Sequence, residues 1–361
     1  MILTRLQVRH LRCLADVELE PGPGLNLVVG PNGAGKSSLI EALHLLAYGR
    51  SFRGRVSDGL IGSGQPHLEV YAEWTDGAGA AHRAGLRHAG SRWEARLDGA
   101  TVPSLSELCA RFAVVTFEPG SHDLIGAGAE HRRRFLDWGL FHVEPDFLPV
   151  WRRYNRALKQ RNALLKAAPS PRGLDPWDAE LAEAGERLTR LRERYLLELE
   201  PLLGLESSAF IPELGASRLT FRPGWKRDDL PLADALLLGR ERDLATGYTG
   251  TGPHRADWRV DFAALPGREA LSRGQEKLTA LACILAQGRS LAAAQGHWPL
   301  VALDDLASEL DAAHQAQVLA AVLGSGAQVV VTGTQPPGFI APVHEARMRT
   351  FHVERGVVDP L

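Results

Sequence analysis

The sequence predicts an α/β protein: a mixed β core interleaved with helices, joined to a helical second lobe with a short antiparallel helical arm. Three observations predict it. Leu25-Asn26-Leu27-Val28-Val29 is an apolar run that stops at Gly30, and helix-forming residues follow from Lys36 to Tyr48, the pattern of a buried strand feeding a loop and then a helix. Leu300-Val301-Ala302-Leu303 is a second apolar run, ending in Asp304-Asp305. Between them, over residues 130–200, the pattern is helical, broken by the turn segment Ala168-Pro169-Ser170-Pro171-Arg172-Gly173.

Taken in order, residues 2–8 and 17–20 alternate apolar and polar as two short strands ahead of the buried one. Stretches at 67–74, 83–88 and 92–97 alternate as well and predict a small antiparallel sheet. In the helical region Leu181, Ala184, Leu188, Leu191 and Tyr195 fall at spacings of 3 and 4, an apolar seam for one partner helix and hence a helical hairpin. After residue 268 the α/β character returns, with a helix over 274–294, a strand at 300–303, a helix after Asp311 and a strand at 328–332. The expected division is 1–128 for the N-terminal part of the core, 129–245 for the helical lobe with its arm, and 246–361 for the C-terminal part of the core.

With 45% hydrophobic and 23% charged residues in a chain of 361, the composition excludes disordered, collagen-like and disulfide-scaffold classes. The 41 Lys+Arg nearly cancel the 43 Asp+Glu, so a nucleic-acid partner has to be argued from local patches rather than net charge. Cys13, Cys109 and Cys283 are too scattered for a zinc site or a disulfide framework, and a reducing, cytoplasmic setting is expected. The first residues alternate as a strand does, unlike a secretory leader. No apolar run approaches the ~18 residues that span a bilayer, so no membrane is expected among the partners.

Gly30-Pro31-Asn32-Gly33-Ala34-Gly35-Lys36-Ser37 satisfies the phosphate-loop pattern G-x-x-x-x-G-K-[ST], between a strand and a helix as its mechanism requires. The glycines let successive backbone N–H groups turn toward phosphate oxygens, and the helix that follows, beginning Lys36-Ser37-Ser38, adds the positive end of its dipole. Lys36 is expected to reach the β/γ-phosphates of ATP and Ser37 to ligate Mg²⁺. Asp304, at the end of its strand beside this loop, would hold the metal through a water, and Asp305 would orient or deprotonate the attacking water. Ser272-Arg273-Gly274-Gln275 opens a long helix, with Ser272 placed as its N-cap. Residues 131–166 hold nine Lys/Arg against Asp137, Glu144 and Asp146, interleaved with Trp138, Trp151 and Tyr154. That local excess makes Arg132, Arg133, Arg134, Arg152 and Arg153 candidate phosphate contacts. His131, His142 and His254 show no metal-ligand spacing, and packing or backbone hydrogen bonding is expected of each.

A phosphate loop, then a Ser-x-Gly-Gln turn at a helix start, then paired acids resembles the order of motifs in the ABC-type ATPases. The match implies an ABC-type ATPase head, in which the signature turn of one subunit covers the γ-phosphate held by the other subunit's phosphate loop. Ser308-Glu309-Leu310-Asp311 resembles the D-loop, which implies that Ser308 and Asp311 contact the opposite subunit. The opening residues Arg5 to Arg12, the block Arg132-Arg133-Arg134-Phe135-Leu136-Asp137-Trp138-Gly139 and the block Tyr248-Thr249-Gly250-Thr251-Gly252-Pro253-His254-Arg255 are similar to those of the RecF family, in the DNA-repair branch that also holds the SMC proteins. That resemblance spans nearly the whole chain. It implies an ATP-dependent homodimer that binds duplex and gapped DNA in recombinational repair, hydrolyses ATP slowly as a switch, and works with RecR- and RecO-type mediators. Two departures stand out: residues 113–118 lack the Gln, and residues 330–334 the switch His, that many such heads carry. The readings that compete are a transporter's nucleotide-binding subunit, disfavoured by the long insert between loop and signature, and a scaffold that binds nucleotide without turning it over.

Overall fold

A strand buried at every position, as Leu25–Val29 is, requires partners on both edges and cover on both faces. A computed structural model of the chain supplies both, describing residues 1–54, 59–90, 92–167, 171–265, 271–335 and 348–361. The chain divides into two units: Met1–Ser121 with Leu281–Leu361, and His122–Ala280. The first begins with β1 (Ile2–Leu11), β2 (Leu14–Leu19), β3 (Leu25–Val29), α1 (Lys36–Tyr48), β4 (His67–Thr75), β5 (Ala81–Ala89), β6 (Arg92–Leu97), β7 (Ala100–Thr101), α2 (Leu105–Arg111) and β8 (Val114–Phe117). The second holds α3 (Asp123–Gly126), α4 (Ala129–Val143), α5 (Phe147–Lys166), α6 (Asp175–Phe210), β9 (Ser217–Arg222), α7 (Leu232–Leu238), α8 (Arg240–Thr246), β10 (Asp257–Phe262) and the start of α9 (Arg273–Gln295). The chain returns to the first unit along α9 and closes with β11 (Leu300–Leu303), α10 (Leu306–Glu309), α11 (Ala312–Gly324), β12 (Val329–Gly333), β13 (Met348–Glu354) and β14 (Val357–Pro360).

Two six-stranded sheets build the first unit. One is ordered β2-β1-β4-β5-β6-β7 and pairs antiparallel throughout. The other is ordered β14-β13-β3-β12-β11-β8 and is parallel except for β14 at its edge. Nearly every residue of α1 is buried, as expected of a helix with apolar cover all round. Its Leu39, Leu43 and Leu46 share one core with Val28, Ala302 and Val330 of the parallel sheet and with Leu6, Val70 and Leu86 of the antiparallel one. Gln328 ties the two sheets: its carbonyl accepts the Leu3 N–H at 2.7 Å, and its amide donates to the carbonyls of Leu3 and Gly22 at 2.9 and 2.6 Å.

In the second unit the apolar seam Leu181, Ala184, Leu188, Leu191 and Tyr195 is buried as its spacing predicts, and α5 lies against α6 as a helical hairpin. The 36 residues of α6 also pack on α4, α7 and β9. Residues 168–170 of the expected turn lie outside the described residues, and a 3-10 turn over Pro171–Leu174 follows them. Among the described residues no helix is long and apolar enough to cross a membrane.

Candidate nucleotide site

β3 delivers the chain to Gly30, where a side chain has no room: a Cβ there would lie 2.0 Å from the Val353 carbonyl oxygen of β13. Gly35 caps α1 with φ 117°, a region costly for any residue with a Cβ. The turn after β13 braces the loop, since the Gly356 N–H donates to the Ala34 carbonyl at 2.9 Å. Lys36 is buried, and its ammonium donates to the carbonyls of Gly30 and Pro31 at 2.8 and 2.9 Å. The loop therefore closes around a positive charge at a helix N-terminus, whose first N–H groups lack helical partners. Asn32, Gly33, Gly35, Lys36 and Ser37 line a cleft of about 270 Å³ together with Arg53 and Asp305. Gly30, Pro31, Ala34 and the buried Ser38 shape the loop from outside that lining.

β12 lies between β3 and β11, so Thr332 stands between the loop and the paired acids. Its hydroxyl donates to Asp304 Oδ1 at 2.6 Å and accepts the Asp305 N–H at 2.8 Å. The Ser37 side chain lies near enough to the Asp304 carboxylate to draw its pKa down, so the two expected metal ligands lie together. Burial pushes the Asp304 carboxyl above its ordinary range, against the opposing pull of the Thr332 and Ser37 hydroxyls and the Arg53 charge. A hydroxyl and a carboxylate are oxygen donors that fit a hard cation such as Mg²⁺, and such a cation would offset the cost of burying the Asp304 charge. Asp305 occupies the left-handed region at φ 50° and accepts a hydrogen bond from the Ser308 hydroxyl at 2.6 Å.

Arg53 carried no sequence signal, yet it lines the cleft. Behind it the fully buried Glu41 of α1 accepts two hydrogen bonds from Arg12, at 3.0 and 2.9 Å, and another from the Ser51 hydroxyl. A glutamate set in the apolar run Leu39-Ile40-Glu41-Ala42-Leu43 is the one trace of this network in the sequence.

At the start of α9 the Ser272 hydroxyl accepts the Gln275 N–H at 3.4 Å and the Gln275 side chain accepts the Ser272 N–H at 3.0 Å. This reciprocal pair is a capping box, so the N-cap role holds, and Ser272, Arg273 and Gly274 are exposed on a preformed turn. Asp311 caps α11 by accepting the His314 N–H at 3.0 Å. No Gln follows β8; Glu118 does, its carboxylate accepting the Gly120 N–H at 2.6 Å. The end of β12 is Gly333, whose carbonyl accepts the Gly30 N–H at 3.3 Å.

The arginines proposed for DNA separate by environment. Arg132 donates to both Asp257 oxygens, at 2.7 and 3.2 Å, and to the Ala127 carbonyl, with its side chain only 13% exposed. Arg133 donates to the Ala256 carbonyl at 2.8 Å, Arg134 pairs with Glu130, and Arg153 reaches Glu180 and Glu183. Two of these candidate phosphate contacts are engaged within the protein, Arg132 by Asp257 of β10 and Arg133 by the Ala256 carbonyl just before it, so the run does not face solvent as a unit. Arg152 is exposed. The two RecF-like blocks meet through Arg192, which donates to both Asp137 oxygens and to the Pro253 carbonyl. His254 donates from Nε2 to the Thr249 carbonyl, leaving Nδ1 to accept from the Tyr154 hydroxyl, and burial lowers its pKa to about 4. His142 is half-buried beside Trp138 and Phe141, and loss of solvent around its ring lowers its pKa to about 4. His131 is exposed. Among the described residues no group of three or more His, Cys, Asp or Glu could hold a metal.

A family model described as the RecF/RecN/SMC N terminal domain matches residues 2–358. The chain is 60% identical over 362 residues to the DNA replication and repair protein RecF of Xanthomonas axonopodis pv. citri, covering 99% of this chain and 98% of that one. It is 37% identical to the protein of the same description from Shewanella baltica, over 99% of both chains. A solved structure of the recombination mediator protein RecF with ATP, in the RecFOR pathway, has a TM-score of 0.88 at 26% identity, covering 100% of this chain and 97% of that one. The Smc head bound to the C-winged helix domain of ScpA shares the fold, with a TM-score of 0.58 at 16% identity over 100% of this chain and 98% of that one. The chain therefore belongs to the RecF/RecN/SMC family of SMC-like ABC-type ATPases, in the RecF branch of DNA replication and repair proteins.

Proposed function

We propose that this chain is an ATP-gated, DNA-binding protein of recombinational repair and replication restart, working in the cytoplasm with RecR- and RecO-type mediators. Two copies close around two Mg-ATP molecules, and slow hydrolysis reopens the pair. The observation that carries this reading is the junction at the sheet edge, where Ser37, Asp304, Thr332 and Asp305 meet beside the buried Lys36. Mg²⁺ at Ser37 and Asp304 would neutralise charge on the β- and γ-phosphates. Lys36 exchanges its carbonyl partners for phosphate oxygens, and the loop N–H groups bind the rest. Asp305 takes the proton of the attacking water, its backbone fixed by Thr332 and its carboxylate turned by Ser308.

The exposed capping turn at Ser272–Gln275 suits docking on a partner's γ-phosphate, and Ser308 and Asp311 serve the opposite subunit from the loop after Asp305. Slow turnover accords with the lack of a Gln after β8 and of a His after β12. Duplex and gapped DNA would be met in the basic region 131–166 with little sequence preference. The RecF relatives leave the transporter reading without support. ATP turnover with and without gapped duplex, read beside dimer mass by light scattering, tests the proposal. ATP-dependent dimers and DNA-stimulated turnover are expected; an ATP-bound chain with no turnover under either condition would make it a non-hydrolysing scaffold.

A further inference from the structure

The 20 residues of α5, FLPVWRRYNRALKQRNALLK, include six basic side chains and no acidic one. Exposed helices gain from acids placed four residues before bases, and α5 forgoes every such pair. Two of the six are held by acids: Arg153 at the surface by Glu180 and Glu183, and the fully buried Arg161 by Asp178 and Asp243. The other four, Arg152, Arg156, Lys159 and Lys166, are exposed. At 3.6 residues per turn they fall within an arc of about 80° and run about 21 Å along the axis, with Ala163 between the last two. Among the described residues no hydrogen bond or ion pair engages Arg156, Lys159 or Lys166. Glu180, whose carboxylate feels the Arg156 charge, is already bound by two nitrogens of Arg153.

We propose that this face of α5 is a track for the sugar-phosphate backbone of duplex DNA. The inference rests on the DNA-binding reading above and names the surface that serves it. A duplex offers a phosphate about every 3.4 Å along each strand, so a row of long, flexible cations about one to two helical turns apart finds oxygens in reach. Point charges that donate without accepting position a duplex and do not read its bases. The acids of α6 and α8 supply the counter-charge for Arg153 and Arg161, which leaves Arg156, Lys159 and Lys166 as cations that no acid among the described residues binds.

The test titrates full-length chain with ATP against a non-specific duplex over a series of salt concentrations. Arg156→Gln/Lys159→Gln/Lys166→Gln is compared with a charge-matched control in the same unit, Arg187→Gln/Arg190→Gln/Lys226→Gln, drawn from exposed positions on α6 and the loop after β9. The α5 triple should weaken binding and flatten the log–log salt slope by about 2.7, at 0.9 per phosphate, with thermal unfolding unchanged. The control should keep the wild-type slope. Equal losses in both triples would reduce the effect to net charge and overturn the track, as would an α5 triple that keeps the full slope. An α5 triple that binds DNA normally but loses affinity for polyglutamate would assign the face to an acidic protein and overturn it too. Wild-type chain that fails to bind duplex at low salt with ATP would instead defeat the DNA-binding reading itself.

Discussion

Replacing Thr332 with valine keeps the shape of the side chain and removes one hydroxyl. That hydroxyl joins Asp304 to the Asp305 backbone where Thr332 is 1% and Asp304 2% exposed. No cavity opens, so the cost is electrostatic: a part-buried N–H and a buried carboxylate oxygen each lose a partner, at about 1–3 kcal/mol apiece. Allowing for other contacts of the carboxylate, Thr332→Val should destabilise the first unit by about 2–4 kcal/mol. For a unit of about 200 residues that lowers the thermal midpoint by roughly 5–15 °C. Turnover should fall at least about tenfold, because Asp305 loses the bond that sets its backbone and misplacement by an ångström costs up to about a hundredfold. Calorimetry and steady-state ATP turnover give both numbers, and Thr332→Ser should recover most of each. A valine variant that melts with wild type and turns over ATP normally would refute the claim that Thr332 organises the paired acids.

Asp305→Asn should leave ATP binding intact and cut turnover by about 10²–10⁴-fold, measured by calorimetry and phosphate release. The fold should survive because asparagine tolerates the left-handed backbone found there. Arg161→Leu strands the buried Asp243 carboxylate and leaves Asp178 to Arg240 alone, and should cost about 3–5 kcal/mol in urea unfolding; a loss below about 1 kcal/mol would show that the buried pairs do not hold α5, α6 and α8 together. His254, with its pKa lowered to about 4, binds fewer protons folded than unfolded. Its contribution is therefore complete above the unfolded value of about 6.5 and is lost as pH falls toward 4. Unfolding free energy should drop across that window in wild type, and by less in His254→Gln, which keeps a donor and an acceptor without titrating.

The strand, loop and helix of the phosphate site were legible because each is local: an apolar run, glycines at fixed spacing, then helix formers. The seam of α6 was legible for the same reason, its period being intrinsic to the helix. What escaped depends on partners far along the chain. Met348–Glu354 alternates in burial, but its place beside β3, where Val353 excludes a side chain at Gly30, comes from pairing across more than 300 residues. Arg53 and the Arg12–Glu41 pair are ordinary charges until folding brings Arg53 into the cleft and sets the pair behind it. The run Arg132-Arg133-Arg134 shows the converse limit: sequence reveals charge but not its partners, and Asp257 and the Ala256 carbonyl engage the first two. Neutralising that run would weaken the packing of α4 on β10 whatever its effect on DNA.

The central claim, that each nucleotide is shared between the phosphate loop of one copy and the signature turn of another, is tested most directly by mixing two crippled chains. Lys36→Ala spoils the loop and leaves the signature; Ser272→Arg spoils the signature and leaves the loop. With ATP, light scattering should find each variant monomeric alone and a dimer fraction in the mixture, where one composite site is whole. A mixture that stays monomeric while wild type dimerises, or a Ser272→Arg chain that dimerises alone as wild type does, would contradict the shared site.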